Sequence, residues 1–364
     1  MKLDDDMMWM RLERRSYPIY FGGLRPIRNH PVDGRTILVV ADSETAQYSD
    51  RVTAELAGAK AVATWVFPAG ETSKTLATAV EICQAALRLG CGRDALFIAL
   101  GGGVTGDLTG FAASIYMRGI EFWQIPTSLL AMVDSSVGGK TGVDLPNGKN
   151  LLGTFHQPAA VFIETDFLRT LPAEHLAAGM AEVIKYGVTL DRTFFMYLER
   201  ELGLPAALED QDFLRSVIRG SCRLKADIVR RDEYETCGAV RELLNFGHTF
   251  GHAAEALSDY RLLHGQAVAW GMAVASRLAV RLGRWSEADA TRLQALLAKC
   301  RLGREHYDCS GLSAEAVLAA MRLDKKNRDG RLRLVLPTGI GRASIVKNVA
   351  DDDVLAAIRE VLHD

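Results

Sequence analysis

Long apolar runs are missing from this chain. No stretch approaches the roughly 18 consecutive apolar residues that a membrane-spanning helix needs. The N-terminus, MKLDDDMMWMRLERR, alternates acids with bases and lacks the apolar stretch of a secretory signal. An excess of one charge is missing too: Lys and Arg number 43 against 45 Asp and Glu, a formal net charge of −2, which argues against a nucleic-acid binder relying on a general basic face. Cysteine is sparse, and Cys83, Cys91, Cys222, Cys237, Cys300 and Cys309 show no CxxC pairing, so they read as free thiols in a reducing compartment. Pro- or Ser-rich linkers, internal repeats and low-complexity tracts are also absent. What is present is a 364-residue chain that is 48% hydrophobic, enough for two domains with real cores and incompatible with disorder as the main state. The class expected from this is a soluble cytoplasmic enzyme.

Periodicity divides the chain. In the first half, strand-like runs (TILVV at 36–40, ATWVF at 63–67, ALFIAL at 95–100, EFWQI at 121–125, AVFIE at 160–164) alternate with helix-like segments over 44–57, 74–89 and 104–117. The 74–89 segment places Leu76, Val80, Cys83 and Leu87 at three- and four-residue spacing, which predicts that this face turns inward. That rhythm implies βαβ units and a mostly parallel sheet, an α/β Rossmann-like domain. After about Leu171, helical patterns take over at 173–187, 191–202, 211–231, 246–257, 265–283, 286–299 and 313–322, with only RLRLVL (331–336) looking extended. The expected division is therefore 1–170, an α/β domain, and 171–364, a mainly α-helical domain.

Four groups of residues carry chemistry. GGGVTGD (101–107) follows an apolar strand and opens a helix, where glycines let backbone N–H groups approach a pyrophosphate and the helix N-terminus favours anions. Its spacing is not the usual GxGxxG. VDSSVGGKTGVDLPNGKN (133–150) brings Asp134, Lys140, Lys149 and Asn150 into a glycine-rich stretch that reads as a long irregular functional loop, with donors suited to phosphate or a polyhydroxylated substrate. NFGHTFGH places His248 and His252 at i and i+4, LLHGQAV adds His264, and AEVIKYG adds Glu182 with Lys185 one turn on. One carboxylate and two or three histidines match a divalent metal site with an open position. Spacing along one helix selects His248 with His252, although two of the three histidines remain a choice. Basic residues (Arg118, Lys225, Arg241, Lys325, Lys326) point to an anionic, phosphorylated substrate.

GGGVTGDLTGFAASIYMRG, IPTSLLAMVDSSVGGKTGVDLPNGKN, AGMAEVIKYG, LLNFGHTFGHA and LLHGQAVAWGM closely resemble the 3-dehydroquinate synthase family of the shikimate pathway, from about Arg15 to the C-terminal region. The resemblance implies bound NAD, a divalent metal (zinc or cobalt) and a homodimer. It implies metal ligation by Glu182, His248 and His264, leaving His252 to face substrate. It implies substrate contacts from Asp134, Lys140, Asn150, Lys185, Lys225, Arg241, Asn245, His252 and one of Lys325 and Lys326, with Arg118 reaching the phosphate of the neighbouring subunit. It implies that NAD is held by Asp42, Glu71, Lys74, Gly103, Val104, Asp107, Thr127, Ser128, Lys140 and Lys149. Three departures stand out: PTS replaces the more frequent PTT at Ser128, Asp144 and Asn147 stand where Asn and Leu are commoner, and DEYETCGAVR runs about two residues longer before Arg241.

The implied reaction converts DAHP, a seven-carbon keto-sugar acid phosphate, into 3-dehydroquinate and phosphate. Transient oxidation by NAD, phosphate elimination, re-reduction and intramolecular aldol closure are its steps. The alternatives are a related sugar phosphate cyclase such as 2-deoxy-scyllo-inosose synthase, or a metal-dependent polyol dehydrogenase. Arg241, Asn245, Lys225 and His252 favour the substrate that carries a carboxylate.

Overall fold

Apolar β-branched runs in the first half become strands. The computed structural model describes residues 6–363 except 147, 205, 237–239, 260, 310 and 324–331. Contacts divide the chain into two compact units, Met1–Leu171 and Pro172–Asp364.

Unit 1 contains β1 (Met7–Met10), β2 (Tyr17–Tyr20), β3 (Thr36–Asp42), α1 (Ser49–Thr53), β4 (Ala61–Phe67), α2 (Leu76–Leu89), β5 (Leu96–Gly101), α3 (Gly103–Ile115), β6 (Glu121–Pro126), β7 (Lys140–Leu145), β8 (Gly148–Phe155) and β9 (Ala160–Phe162). Seven strands form one sheet in the order β1-β2-β9-β6-β5-β3-β4, parallel throughout except for the β1–β2 pair. Strands β3, β5 and β6 are buried along nearly their whole length, as central parallel strands covered on both faces must be. From β3 the chain moves outward to β4, then returns to build β5 on the opposite side. This reversal is the topological switch point where open α/β sheets bind ligands, and Asp42 and Gly101 end the two strands that flank it.

The structure corrects three expectations in unit 1. The helix expected over 44–57 is a 3₁₀ turn, Ala46–Tyr48, followed by the short α1. Asp42 Oδ1 accepts from the backbone N–H groups of Glu44 (3.0 Å) and Thr45 (2.9 Å), a side-chain turn that delays the helix. On α2 the predicted face is the wrong one: Leu76, Val80 and Leu87 are exposed, Leu87 by 67%, and Cys83 is half-buried. Ala79, Ile82, Ala85 and Ala86 face the core, because the space beside them is filled by Phe97, Leu108 and Phe111 and admits mainly small residues.

Residues 133–150 are also not an irregular loop. They run through a π-helical turn, Ala131–Ser135, into the antiparallel hairpin β7–β8. Gly110 of α3 lets the hairpin dock, since a Cβ there would stand 2.4 Å from Thr141 Cγ2. Glycines and lysines hide these strands from a periodicity reading, while Thr141 and Thr154 bond across them at 2.8 Å.

Unit 2 contains α4 (Ala173–Thr189), α5 (Arg192–Glu201), α6 (Gln211–Arg231), α7 (His248–Leu257), α8 (His264–Arg281), α9 (Glu287–Lys299), α10 (Ala314–Leu323), the hairpin β10 (Arg333–Gly339)–β11 (Arg342–Lys347) and α11 (Asp351–His363). Strand β11 and helix α11 were not expected. The second has Asp351, Asp352 and Asp353 in its first turn, favourable to the helix dipole. Helix α7 starts later than the 246–257 pattern because Arg241–Asn245 forms a 3₁₀ turn of its own. Among the described residues no helix is long and apolar enough to cross a membrane. None of the five described cysteines is in a disulfide.

Candidate active site

In unit 1, the polar residues gather at the C-terminal ends of β3 and β5. Gly102 caps α3, and Gly103 and Val104 form its first turn. Asp42 Oδ2 accepts from Thr105 Oγ1 at 3.0 Å, tying the end of β3 to the glycine turn. The Thr127 backbone N–H donates to Gly101 O at 3.0 Å, and Ser128 Oγ accepts from the Ala131 N–H at 3.3 Å, opening the π-helical turn that holds Asp134. π-Helical turns recur at functional sites.

Lys74 is the hub of the second half of this cluster. It is 4% exposed, and its ammonium lies 2.6 Å from Asp107 Oδ2, 2.5 Å from Asn150 Oδ1 and 4.0 Å from Glu71 Oε1. Lys149 Nζ stands 3.6 Å from the same Glu71 oxygen. Burial works against the Lys74 charge, but Asp107, Glu71 and Asp144 outweigh it and hold its pKa above the ordinary lysine value. For Asp144, burial raises the pKa above the usual carboxylate value, and the Asn150 N–H, Lys74 and Lys149 offset it only in part.

Arg118 does not join this group. It is exposed just beyond the far end of α3, about 20 Å along the helix from Gly103. Met117, Arg118 and Gly119 have φ of 50°, 68° and 111°, the left-handed region, which costs about 1–3 kcal/mol for each non-glycine residue. Hydrogen bonds from Gly119 N–H to Tyr116 O and from Ile120 N–H to Ala113 O, both 2.9 Å, hold the turn.

In unit 2, α4 carries Glu182 and Lys185 one turn apart, both buried and joined as an ion pair. Helix α7 carries His248 and His252, and α8 begins at His264. The two helices approach closely at Gly271, where a Cβ would stand 2.0 Å from Gly247 O, and the three imidazoles come together with ring centroids 5.3–5.9 Å apart. Among the described residues, one set of His, Cys, Asp and Glu has its ligand atoms all within 4.8 Å of each other: Glu182, His248 and His264. It is not the i, i+4 pair that spacing selects, because His264 arrives on a second helix. His248 Nε2 and His264 Nε2 lie 3.5 and 3.8 Å from Glu182 Oε1. His248 Nδ1 lies 3.2 Å from Phe246 O, and His264 Nδ1 lies 3.3 Å from Glu255 Oε2. Protons on the two Nδ1 atoms leave both Nε2 lone pairs facing Glu182. Neither carboxylate oxygen of Glu182 makes a hydrogen bond of ordinary geometry among the described residues. Lys185 pairs with Oε2, and the other buried oxygen, Oε1, faces the two imidazole nitrogens, an arrangement that fits a divalent cation.

Of the anion-binding candidates of unit 2, Lys225 and Arg241 are buried and Asn245 is half-buried. Lys225 lies on α6, and Arg241 and Asn245 bound the 3₁₀ turn. Arg241 Nη1 donates to Asp232 O at 3.1 Å and to Glu233 O, and its Nε pairs with Glu235 at 3.3 Å. Lys325 and Lys326 lie outside the described residues.

Comparison with known proteins now decides the family. The family model described as 3-dehydroquinate synthase N-terminal matches residues 64–178, and that described as 3-dehydroquinate synthase C-terminal matches residues 179–327. The chain belongs to the 3-dehydroquinate synthase family. A 3-dehydroquinate synthase from Xanthomonas axonopodis pv. citri is 51% identical over 343 residues, 91% of this chain and 90% of the relative. Among solved structures, a 2-epi-5-epi-valiolone synthase from Streptomyces hygroscopicus subsp. jinggangensis with NAD+ and Zn2+ bound superimposes with a TM-score of 0.87 at 31% identity, covering 97% of this chain and 98% of the other. A 2-deoxy-scyllo-inosose synthase complexed with carbaglucose-6-phosphate, NAD+ and Co2+ gives the same TM-score at 26% identity, covering 97% and 99%.

Three residues that hold these clusters together receive no role in the sequence reading: Thr105, Asp144, which enters it only as a departure from the family pattern, and Glu255. Glu255 had a usable signal, since it lies two turns after His248 on the same face of α7. The other two show no spacing that marks them.

Proposed function

We propose that this chain converts DAHP into 3-dehydroquinate and inorganic phosphate, with NAD+ held by unit 1 and a divalent cation, zinc or cobalt, held by Glu182, His248 and His264. The observation that carries the reading is the buried Glu182 carboxylate faced by two oriented imidazoles in a member of this family. When bound, NAD+ would supply a reversible hydride acceptor, and the cation would supply Lewis-acid polarisation of a substrate oxygen.

The chain's own residues do the rest. Asp42, Glu71, Lys74, Gly103, Val104, Asp107, Thr127, Ser128, Lys140 and Lys149 hold the nucleotide, using backbone donors at the α3 N-terminus for its phosphates. Arg241, Lys225 and Asn245 meet the substrate carboxylate with charged and amide donors. Lys185 holds a proton at Nζ beside Glu182, and His252 orients substrate hydroxyls. Asp134, Lys140, Asn150 and one of Lys325 and Lys326 contribute further substrate contacts. The protein works in the cytoplasm as a homodimer in which Arg118 reaches the partner's phosphate. Its exposure on a strained left-handed turn, beside the exposed Ile115 and Met117, supports that role.

The test is turnover of DAHP with NAD+ far below the substrate concentration. Many equivalents of phosphate and 3-dehydroquinate should form per NAD+, with no net NADH absorbance. Sustained one-to-one NADH would place the protein with polyol dehydrogenases, and preference for a sugar phosphate lacking the carboxylate would place it with the sister cyclases.

A second expectation concerns Glu255, whose buried carboxylate fixes His264. Glu255→Ala should weaken zinc binding about 10- to 100-fold in competition with a chelator. Glu255→Gln keeps an acceptor for Nδ1–H and should lose less. Unchanged zinc affinity in the alanine variant would remove the orienting role.

A further inference from the structure

The hairpin β7–β8 pairs in register from Lys140 with Phe155 to Val143 with Leu152, then shifts, and resumes at Leu145 with Gly148. Asp144 sits at the shift. One residue of β7, Asp144, there faces three of β8, residues 149–151, so the bulge lies on β8 and carries Asn150, a device common beside active sites. The freed Asp144 N–H donates to Lys74 O at 2.8 Å, and its carboxylate Oδ1 accepts from the Asn150 N–H at 2.7 Å. Asn150 has a φ of 55°, a conformation that a non-glycine residue holds at a cost. Asn150 Oδ1 in turn accepts from Lys74 Nζ at 2.5 Å. Three bonds thus close a ring through Asp144, Asn150 and Lys74.

We infer that Asp144 is a positioning residue: it holds Asn150 in its left-handed conformation and, through Asn150, aims the Lys74 ammonium. Any ligand of Lys74, Lys149 and Asn150 meets side chains already placed, so less ordering is left for binding. What Asn150 takes from the carboxylate is a hydrogen-bond acceptor, while the Asp144 charge only adds to those of Asp107 and Glu71 at Lys74. Lys74 already has Asp107 at 2.6 Å as an ionic partner. The amide of an asparagine offers the same acceptor.

The inference rests on the reading that this cluster holds NAD+, and two readouts separate the two claims. The full-length wild type, Asp144→Ala and Asp144→Asn are compared by calorimetric titration with NAD+ and by amide hydrogen exchange over residues 148–155. Asp144→Ala should bind NAD+ about tenfold more weakly and lose protection at Asn150, as expected for losing an acceptor that serves the hub. Asp144→Asn should stay within about threefold of the wild type and keep its protection. Unchanged exchange and affinity in Asp144→Ala would overturn the inference, as would equal losses in both variants. If the wild type fails to bind NAD+ while exchange follows the expected pattern, the cofactor reading falls and the positioning role stands.

Discussion

His264→Ala protein should come off a desalting column almost free of zinc, and His252→Ala protein should keep it. Both histidines lie within one cluster of rings, but their geometry differs. His264 presents Nε2 to Glu182 at 3.8 Å while Glu255 holds its Nδ1. His252 is outside the set whose ligand atoms converge within 4.8 Å. Removing a partner of a ligating histidine costs about 10- to 100-fold in metal affinity, so removing the ligand itself should exceed the upper end of that range. Both variants should lose most turnover, so activity does not separate them. Elemental analysis does, and zinc lost from His252→Ala but retained by His264→Ala would reverse the assignment.

The second large effect is expected at Arg118. Arg118→Ala should abolish most catalysis while leaving NAD+ and zinc binding near wild-type levels, because its turn lies at the opposite end of α3 from the glycine cluster. If the arginine serves the partner's site, a mixed dimer of Arg118→Ala and Lys185→Ala subunits holds one site with both lesions and one with neither. Random exchange makes half the dimers mixed, so about a quarter of all sites should regain activity. If the arginine serves its own subunit, every site in the mixture keeps a lesion. Heterodimers confirmed by mass spectrometry that show no recovered turnover would remove the shared-site claim.

Legibility followed physical rules that differ by element. TILVV, ALFIAL and EFWQI announce β3, β5 and β6 because strands covered on both faces carry few polar positions to break the run. The α2 stripe is real but misleading: periodicity finds a face without saying whether it meets the core or water, and alanines take the inner side. Hairpin β7–β8 hides behind glycine and lysine, since its stability comes from cross-strand partners and from the bare surface of Gly110. At the candidate site, Glu182 and Lys185 are readable as neighbours one helical turn apart. The convergence of His264 is not, because it depends on how closely α8 packs against α7.

The sheet order carries a cost in time. Strand β2 pairs in parallel with β9, whose residues 160–162 follow it by most of unit 1, whereas β3, β4, β5 and β6 find neighbours among themselves. During synthesis at about 5–20 residues per second, the first strands wait on the order of ten seconds before their parallel partner leaves the ribosome. The apolar strip Tyr17–Tyr20, buried in the finished sheet, is exposed for that interval. The centre of the sheet is therefore complete before its N-terminal margin, and the nascent chain passes through a stage in which β6 still presents an open edge.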